Sequence, residues 1–234
     1  MKNLTHIFFD LDHTLWDYDT SATQALTDLY HKFDLTQLFV SPDAFVKVFH
    51  HVNGALWDQY NKGEVDREFI RKERFARVVA GRIEADYDWT NEMSDFYISH
   101  CPTLPNLMEG TLDVLEALEK RFVLGIISNG FTDTQTVKLQ HSQIDHFFKY
   151  VITSESAQSR KPDPAIFDHA LELSGTECDE VLMIGDNLST DIAGAKAAGW
   201  QAIWYRPEDD GKRHNNPHKP MIQHLTEIVE LVSS

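Results

Sequence analysis

Two aspartates, Asp10 and Asp12, stand directly after the apolar run Ile7-Phe8-Phe9. A carboxylate can act as a nucleophile and form an aspartyl-phosphate. A second one beside it can carry protons if its surroundings hold its pKa away from that of the first. Further along, Ser128 and Asn129 end the apolar run from Phe122 to Ile127, and Ser159-Arg160-Lys161-Pro162 follows the run from Tyr150 to Thr153. Gly185-Asp186-Asn187 ends the run from Val181 to Ile184, with Asp191 five residues beyond Asp186. Carboxylates, hydroxyl and amide donors and one lysine form an inventory suited to phosphoryl transfer with a divalent cation. Mg²⁺ takes oxygen ligands, usually a few carboxylates with water and substrate phosphate. A lysine and amide donors neutralise the phosphoryl oxygens as charge develops.

Each of these groups follows an apolar run that is too short for a helix and suited to a buried strand. Helical patterns lie between the runs, at Leu112, Leu115 and Leu118 and over 133–141, 164–173 and 190–198. Strands alternating with helices make a parallel sheet covered on both faces. The fold class expected is therefore α/β, a doubly wound, Rossmann-like parallel sheet. In such sheets ligands bind beyond the carboxyl ends of the strands, so one edge would gather the whole inventory. Gln201 to Tyr205 reads as a further strand, 206–220 as a surface loop and 224–232 as a last helix.

Residues 16–104 follow a different pattern. Ala22, Ala25, Leu26 and Leu29 are at helical spacing over 19–34. Ser41-Pro42-Asp43 reads as an N-cap, a proline in the first turn and an acid beside it. The stripe that follows is Phe45, Val48, Phe49, Val52, Leu56 and Tyr60, with Gly63 placed to end the helix. Two more helices are predicted over 67–80 and 89–100, and Pro102 and Pro105 close the segment. The expected organisation is a core of 1–15 and 105–234 with a four-helix insertion over 16–104.

The chain of 234 residues is long enough for a sizeable core. A net charge of −16 argues against nucleic acid or an anionic membrane as partner. It leaves room for a small phosphorylated substrate, which needs only a local positive site. Cys101 and Cys178 suggest neither a disulfide framework nor a zinc pattern and fit a reducing cytoplasm. Lys2, Asn3 and His6 interrupt any signal sequence, and no apolar run could span a bilayer. Among the 12 histidines no metal-binding pattern stands out. His50 and His51 are helical neighbours that face apart, and His214 and His218 fall in the expected loop. His13 reads as a spacer. Nothing in the sequence separates a monomer from a homodimer.

Taken singly, Ser128-Asn129-Gly130 is an ordinary turn, Lys161 a solvated lysine and Asp191 an acid at a helix start. Their order changes that reading. Asp10-x-Asp12-x-Thr14, Ser128-Asn129-Gly130, Lys161-Pro162 and Gly185-Asp186-x-x-x-x-Asp191 resemble the four motifs of the haloacid dehalogenase superfamily. At roughly 5% per residue type, Asp-x-Asp-x-Thr arises by chance about once in some thirty chains of this length. The insertion after the first motif resembles that family's helical cap of the first type. Within the superfamily, Ile7 to Trp16, Leu56-Trp57 with Tyr60, Cys101 to Pro105 and Ile126 to Phe131 are similar to the bacterial pyrimidine 5′-nucleotidases.

The resemblance implies a Mg²⁺-dependent phosphatase. Asp10 would attack phosphorus, while Asp12 would protonate the leaving oxygen and then activate water. The carboxylates of Asp10 and Asp186 and the carbonyl of Asp12 would hold Mg²⁺. Ser128, Asn129 and Lys161 would hold the phosphoryl group, with Thr14, Gly130 and Asn187 in support. Asp191 would either support the metal shell or orient Lys161. It also implies that the cap selects the substrate, expected to be a pyrimidine nucleoside monophosphate. Trp16, Tyr18, Asn53, Trp57, Tyr60 and Phe131 are the candidates, though Trp57 and Tyr60 also read as cap core. A dehalogenase would share Asp10 but not Asp12. A sugar-phosphate phosphatase or phosphomutase would keep both, and a non-enzymatic phosphate-binding module would need neither Asp12 nor the cap.

Overall fold

The computed structural model describes residues 3–84, 86–207 and 220–233. The expected loop at 206–220, with His214 and His218, falls almost wholly outside the described residues. In chain order the elements are β1 (His6–Phe9), α1 (Tyr18–Lys32), α2 (Pro42–Asn61), α3 (Arg67–Val79), α4 (Tyr87–His100), α5 (Thr111–Leu118), β2 (Val123–Ser128), α6 (Thr132–His141), β3 (Phe148–Thr153), α7 (Pro164–Ser174), β4 (Val181–Gly185), α8 (Ala193–Ala197), β5 (Gln201–Tyr205), β6 (Met221–Ile222) and α9 (Glu227–Ser233). They form two compact units, Met1–Tyr18 with Pro105–Ser234, and Asp19–Leu104.

The first unit is built on a six-stranded parallel sheet in the order β3-β2-β1-β4-β5-β6. Every residue of β1 and β4 is buried, as expected for strands covered on both faces. The strand order reverses at β1, which pairs with β2 on one side and β4 on the other. That switch point is where an open α/β sheet leaves a crevice. Close packing sets one sequence choice here. Phe8 lies opposite Gly125 in register, and a Cβ on Gly125 would come within 2.4 Å of the Phe8 ring. The aromatic ring therefore uses space that any other residue would fill.

The helical unit is organised by its caps and one aromatic core. Ser41 accepts from Ala44 N at 3.2 Å, Asp66 from Phe69 N at 2.8 Å and Asp86 from Asp88 N at 2.9 Å. Phe49, Phe75 and Tyr97 meet with ring centroids 4.9–6.0 Å apart. The buried face of α2 is Phe45, Val46, Phe49, Asn53, Leu56 and Tyr60. Val48 and Val52, expected inside, sit at its margin, because the stripe includes a polar residue that apolar periodicity cannot see.

Other elements also depart from the sequence reading. Leu112 is 47% exposed, and α5 buries Thr111 and Val114 with Leu115 and Leu118. The helix predicted over 190–198 is two pieces, a wide turn at Leu188–Ile192 and then α8. The strand β6 is only two residues long and left no periodic signal. The first unit keeps residues 16–18, which the sequence reading gave to the insertion. Met108 N donates to Leu15 O at 2.9 Å and Asp17 N to Asn106 O at 3.0 Å, which ties the segment back to the sheet unit.

Candidate active site

The polar residues that end β1, β2 and β4 meet at the crevice, all within the sheet unit. Asp10 follows β1 and is tied to β4 by its backbone, Asp10 N to Ile184 O at 2.9 Å. The chain then turns tightly, with Leu15 N and Trp16 N both donating to Leu11 O at 2.9 Å and His13 at φ +60°. This turn aims Asp10 and Asp12 to different neighbours. Thr14, fully buried, joins the turn to Asp186, because its hydroxyl accepts from Asp186 N at 3.1 Å and lies 3.4 Å from Asp186 Oδ1.

Lys161 is the hub of the Asp10 side. It is 1% exposed, and its ammonium reaches Asp10 Oδ1 at 2.8 Å, Asp191 Oδ1 at 2.7 Å and Ile127 O at 2.7 Å. An ammonium has three donors, so all are taken. Expected to hold the phosphoryl group, Lys161 in this structure orients Asp10 and contributes charge without a spare N–H. The Asn129 side chain holds the Lys161 backbone. Its Nδ2 donates to Lys161 O at 2.9 Å and its Oδ1 accepts from Lys161 N at 2.8 Å, a two-point clip on the lysine backbone.

Asp191 is buried behind Lys161. Its Oδ1 takes the lysine and its Oδ2 accepts from Asn187 N at 3.0 Å. The sequence left two roles open for Asp191, and these contacts are those of a residue that orients Lys161. Asn187 in turn caps the wide turn, accepting from Ser189 N at 2.9 Å and Thr190 N at 3.2 Å. Gly185 makes the arrangement possible, since a Cβ there would lie 2.3 Å from Asp191 Oδ2.

Ser128 and Asp12 share a partner that the sequence reading missed. Gln135, fully buried on α6, donates from Nε2 to Ser128 Oγ at 2.7 Å and to Asp12 Oδ2 at 2.8 Å. Ser128 Oγ also accepts from Gly130 N at 3.0 Å. A hydroxyl has two acceptor positions and one hydrogen. With both positions filled, the Ser128 hydrogen is left to donate to a ligand oxygen. Lys138, one turn after Gln135, pairs with Asp12 Oδ1 at 2.5 Å.

These contacts push the two motif carboxyls in opposite directions. Burial raises the Asp10 carboxyl to about 8 even against the pull of Lys161, with Asp191 and Asp186 adding to the rise. Burial, then Asp191, raise Asp186 to about 7. Burial also works against the charged form of Asp12, but Lys138 and Gln135 outweigh it and hold the carboxyl below its usual range. For Lys161, burial is outweighed by Asp10 and Asp191, which keep the ammonium charged.

A family model described as haloacid dehalogenase-like hydrolase matches residues 7–205. The chain belongs to the haloacid dehalogenase-like hydrolases. It is 31% identical to the pyrimidine 5′-nucleotidase PynA of Streptococcus pneumoniae over 86% of this chain and 83% of that one. It is 30% identical to the pyrimidine 5′-nucleotidase YjjG of Escherichia coli over 85% and 84%. The crystal structure of the HAD-hydrolase YfnB from Bacillus subtilis, bound to magnesium, superposes with a TM-score of 0.86 at 25% identity over 100% of both chains.

As a haloacid dehalogenase-like hydrolase the chain has a donor set that fits a divalent cation. Carboxylate oxygens of Asp10, Asp186 and Asp191 lie within 4.8 Å of one another. Among the described residues Lys161 is the cation paired with Asp10 and Asp191, and burial together with the neighbouring carboxylates raises Asp10 and Asp186. All-oxygen donors of this kind suit Mg²⁺. The expected selector residues fall in both units. Trp16 is 0% exposed and lies beneath Lys138, and Phe131 is buried. Tyr18 packs against His13 at 4.9 Å. In the helical unit Asn53 and Tyr60 are buried, and Trp57 keeps partial exposure with its ring edge-on to Tyr60 at 5.3 Å. Among the described residues no helix is long and apolar enough to cross a membrane.

Proposed function

We propose that this hydrolase is a phosphomonoesterase that works through an aspartyl-phosphate, with pyrimidine nucleoside 5′-monophosphates as its substrates. The observation that carries the chemistry is the division between two neighbouring carboxyls. Asp10 is gripped by Lys161, while Asp12 is held apart by Gln135 and Lys138. A dehalogenase has no use for the second carboxyl.

In the first half-reaction an Asp10 oxygen forms a bond to phosphorus. The ester P–O bond breaks, and the leaving oxygen takes a proton from Asp12, which must enter this step protonated against the preference that Lys138 and Gln135 give its ionised form. In the second half-reaction water attacks the same phosphorus and gives its proton to Asp12. The Asp10–phosphorus bond breaks and inorganic phosphate leaves. Ser128 donates its hydroxyl hydrogen to a phosphoryl oxygen throughout, and the Lys161 charge offsets the charge that develops there. The carboxylates of Asp10 and Asp186 and the carbonyl of Asp12 would hold Mg²⁺, which would keep Asp10 ionised for attack and further neutralise the phosphoryl oxygens.

The substrate assignment rests on the two nucleotidase relatives. The phosphoryl site binds only the group common to all phosphate esters, so base choice belongs to other residues. We assign it to the helical unit, with Trp57 as the partly exposed aromatic for stacking on a base, worth roughly 1 to 3 kcal/mol. The test is kcat/KM for UMP, dUMP and dTMP against AMP and hexose phosphates. Pyrimidine nucleotides should be favoured. Equal or better values for the hexose phosphates would overturn the nucleotidase assignment and leave the phosphatase chemistry standing.

A further inference from the structure

Helix α6 carries a polar pair one turn apart, Gln135 and Lys138, and both side chains are buried, at 0% and 6% exposure. Lysine and glutamine are seldom enclosed unless each polar group has a partner. Here one carboxyl takes a donor from each, while the Gln135 Oε1 is buried without a hydrogen-bond partner. Lys138 Nζ takes Asp12 Oδ1 at 2.5 Å, and Gln135 Nε2 takes Asp12 Oδ2 at 2.8 Å. The lysine ammonium also rests 4.4 Å from the centre of the Trp16 ring, which is fully buried beneath it.

A second observation comes from the opposite side of the amide. A Cβ on Gly130 would fall 2.0 Å from Gln135 Nε2 and 2.6 Å from its Cδ. Gly130 is therefore the opening through which Gln135 reaches Asp12 and Ser128. Lys138 and Gln135 take the two oxygens of one carboxyl, whose side chain stays 26% exposed, while Trp16 packs beneath the lysine and Gly130 beside the amide.

We infer that Gln135 and Lys138 are positioning residues that clamp the Asp12 carboxyl in one rotamer for its two proton transfers. This inference rests on the phosphatase reading above. An aspartate side chain otherwise samples several staggered rotamers, and misplacement of a reacting group by about 1 Å can cost on the order of 10²-fold in rate. Charge-assisted hydrogen bonds to both oxygens remove that freedom. Gln135 also gives its second N–H to Ser128, so one side chain sets the proton carrier and the phosphoryl donor together.

The test is rapid-quench kinetics with p-nitrophenyl phosphate and Mg²⁺ on the full chain. The p-nitrophenolate group departs without needing a proton, so transfer of the phosphoryl group to Asp10 does not depend on Asp12. Hydrolysis of phospho-Asp10 still requires Asp12 to take a proton from water. Lys138→Met should therefore accumulate phosphoenzyme towards one per site while steady-state kcat falls about 10- to 100-fold. KM should stay within about threefold. Gln135→Met, which keeps the volume and loses the donors, should move the same way and guards against a folding defect in the lysine variant. A tether that merely joins α6 to the β1 turn would lower phosphoenzyme and turnover in equal proportion, and that result would overturn the inference. So would wild-type kcat in both variants. If the wild-type chain neither turned over the ester nor formed phosphoenzyme, the phosphatase reading would fall and this inference with it.

Discussion

Adding one methyl group at Gly185 probes the support behind the nucleophile. A Cβ at Gly185 would stand 2.3 Å from Asp191 Oδ2, 2.6 Å from its Cγ and 2.7 Å from its Cβ. Ordinary contact begins at 3.4 Å, so the carboxylate must move by about 1 Å. Asp191 has nowhere to go without loosening Lys161 Nζ at 2.7 Å or Asn187 N at 3.0 Å. Overpacking of this kind costs about 1 to 3 kcal/mol, or roughly 2 to 12 °C in Tm for a chain of this size. Because Lys161 orients Asp10, kcat should also fall by about 10². Gly54 is the control. It lies in the middle of α2, and a Cβ there would meet nothing within 4 Å. Gly54→Ala should stabilise by about 0.5 to 1 kcal/mol through helix propensity alone and leave kcat unchanged. Thermal melts and turnover of p-nitrophenyl phosphate on the two variants decide the matter. Gly185→Ala with wild-type Tm and kcat would refute the reasoning, as would two glycine variants that fall together.

Three further outcomes follow from the site. Asp10→Asn should abolish the phosphoenzyme, whereas Asp12→Asn should still form it from p-nitrophenyl phosphate and lose about 10² to 10⁴ in turnover; near wild-type turnover in Asp12→Asn would remove its assigned role. Asn129→Ala breaks both hydrogen bonds to the Lys161 backbone and should lower stability by about 1 to 3 kcal/mol, read as a lower urea midpoint. The third concerns pH and metal. Without metal, Asp10 and Asp186 hold their protons to about 8 and 7 when folded but only to 3.8 when unfolded. Between those values the folded state binds more protons, so stability present at low pH is lost as pH rises. Mg²⁺ binding to ionised carboxylates releases those protons. The rise in Tm given by Mg²⁺ should thus be larger at about pH 8.5 than at about pH 6, and an equal rise at both would count against the carboxylate site.

The motif residues were legible because their chemistry coincides with a visible boundary. Asp10, Ser128 and Asp186 each stop an apolar run, and the ends of β1, β2 and β4 lie side by side in the sheet. What the types could not tell is how each donor is used. Asn129 reads as a phosphoryl donor, yet its amide faces a backbone 32 residues away. Gln135 and Lys138 were invisible for another reason. On a helix as polar as α6 they look like solvated surface, and only the fold shows that this face is turned inward. The same blindness to buried polar groups rotated the α2 stripe, where Asn53 takes an inner position that Val52 was expected to hold. Gly130 and Gly185 carry no periodic signal at all, because their contribution is the absence of an atom.

The sheet order also constrains how the molecule is made. β1 is synthesised first, but its partners in register are Val123–Ile126 and Val181–Ile184. Each closure joins strands more than a hundred residues apart, the kind of non-local pairing that slows folding. The segment Asp19–Leu104, by contrast, is continuous in sequence, and its helices can pack as soon as they leave the ribosome. During synthesis Ile7, Phe8 and Phe9 therefore wait as an open apolar edge until β4 has emerged. Such an edge invites association between nascent chains.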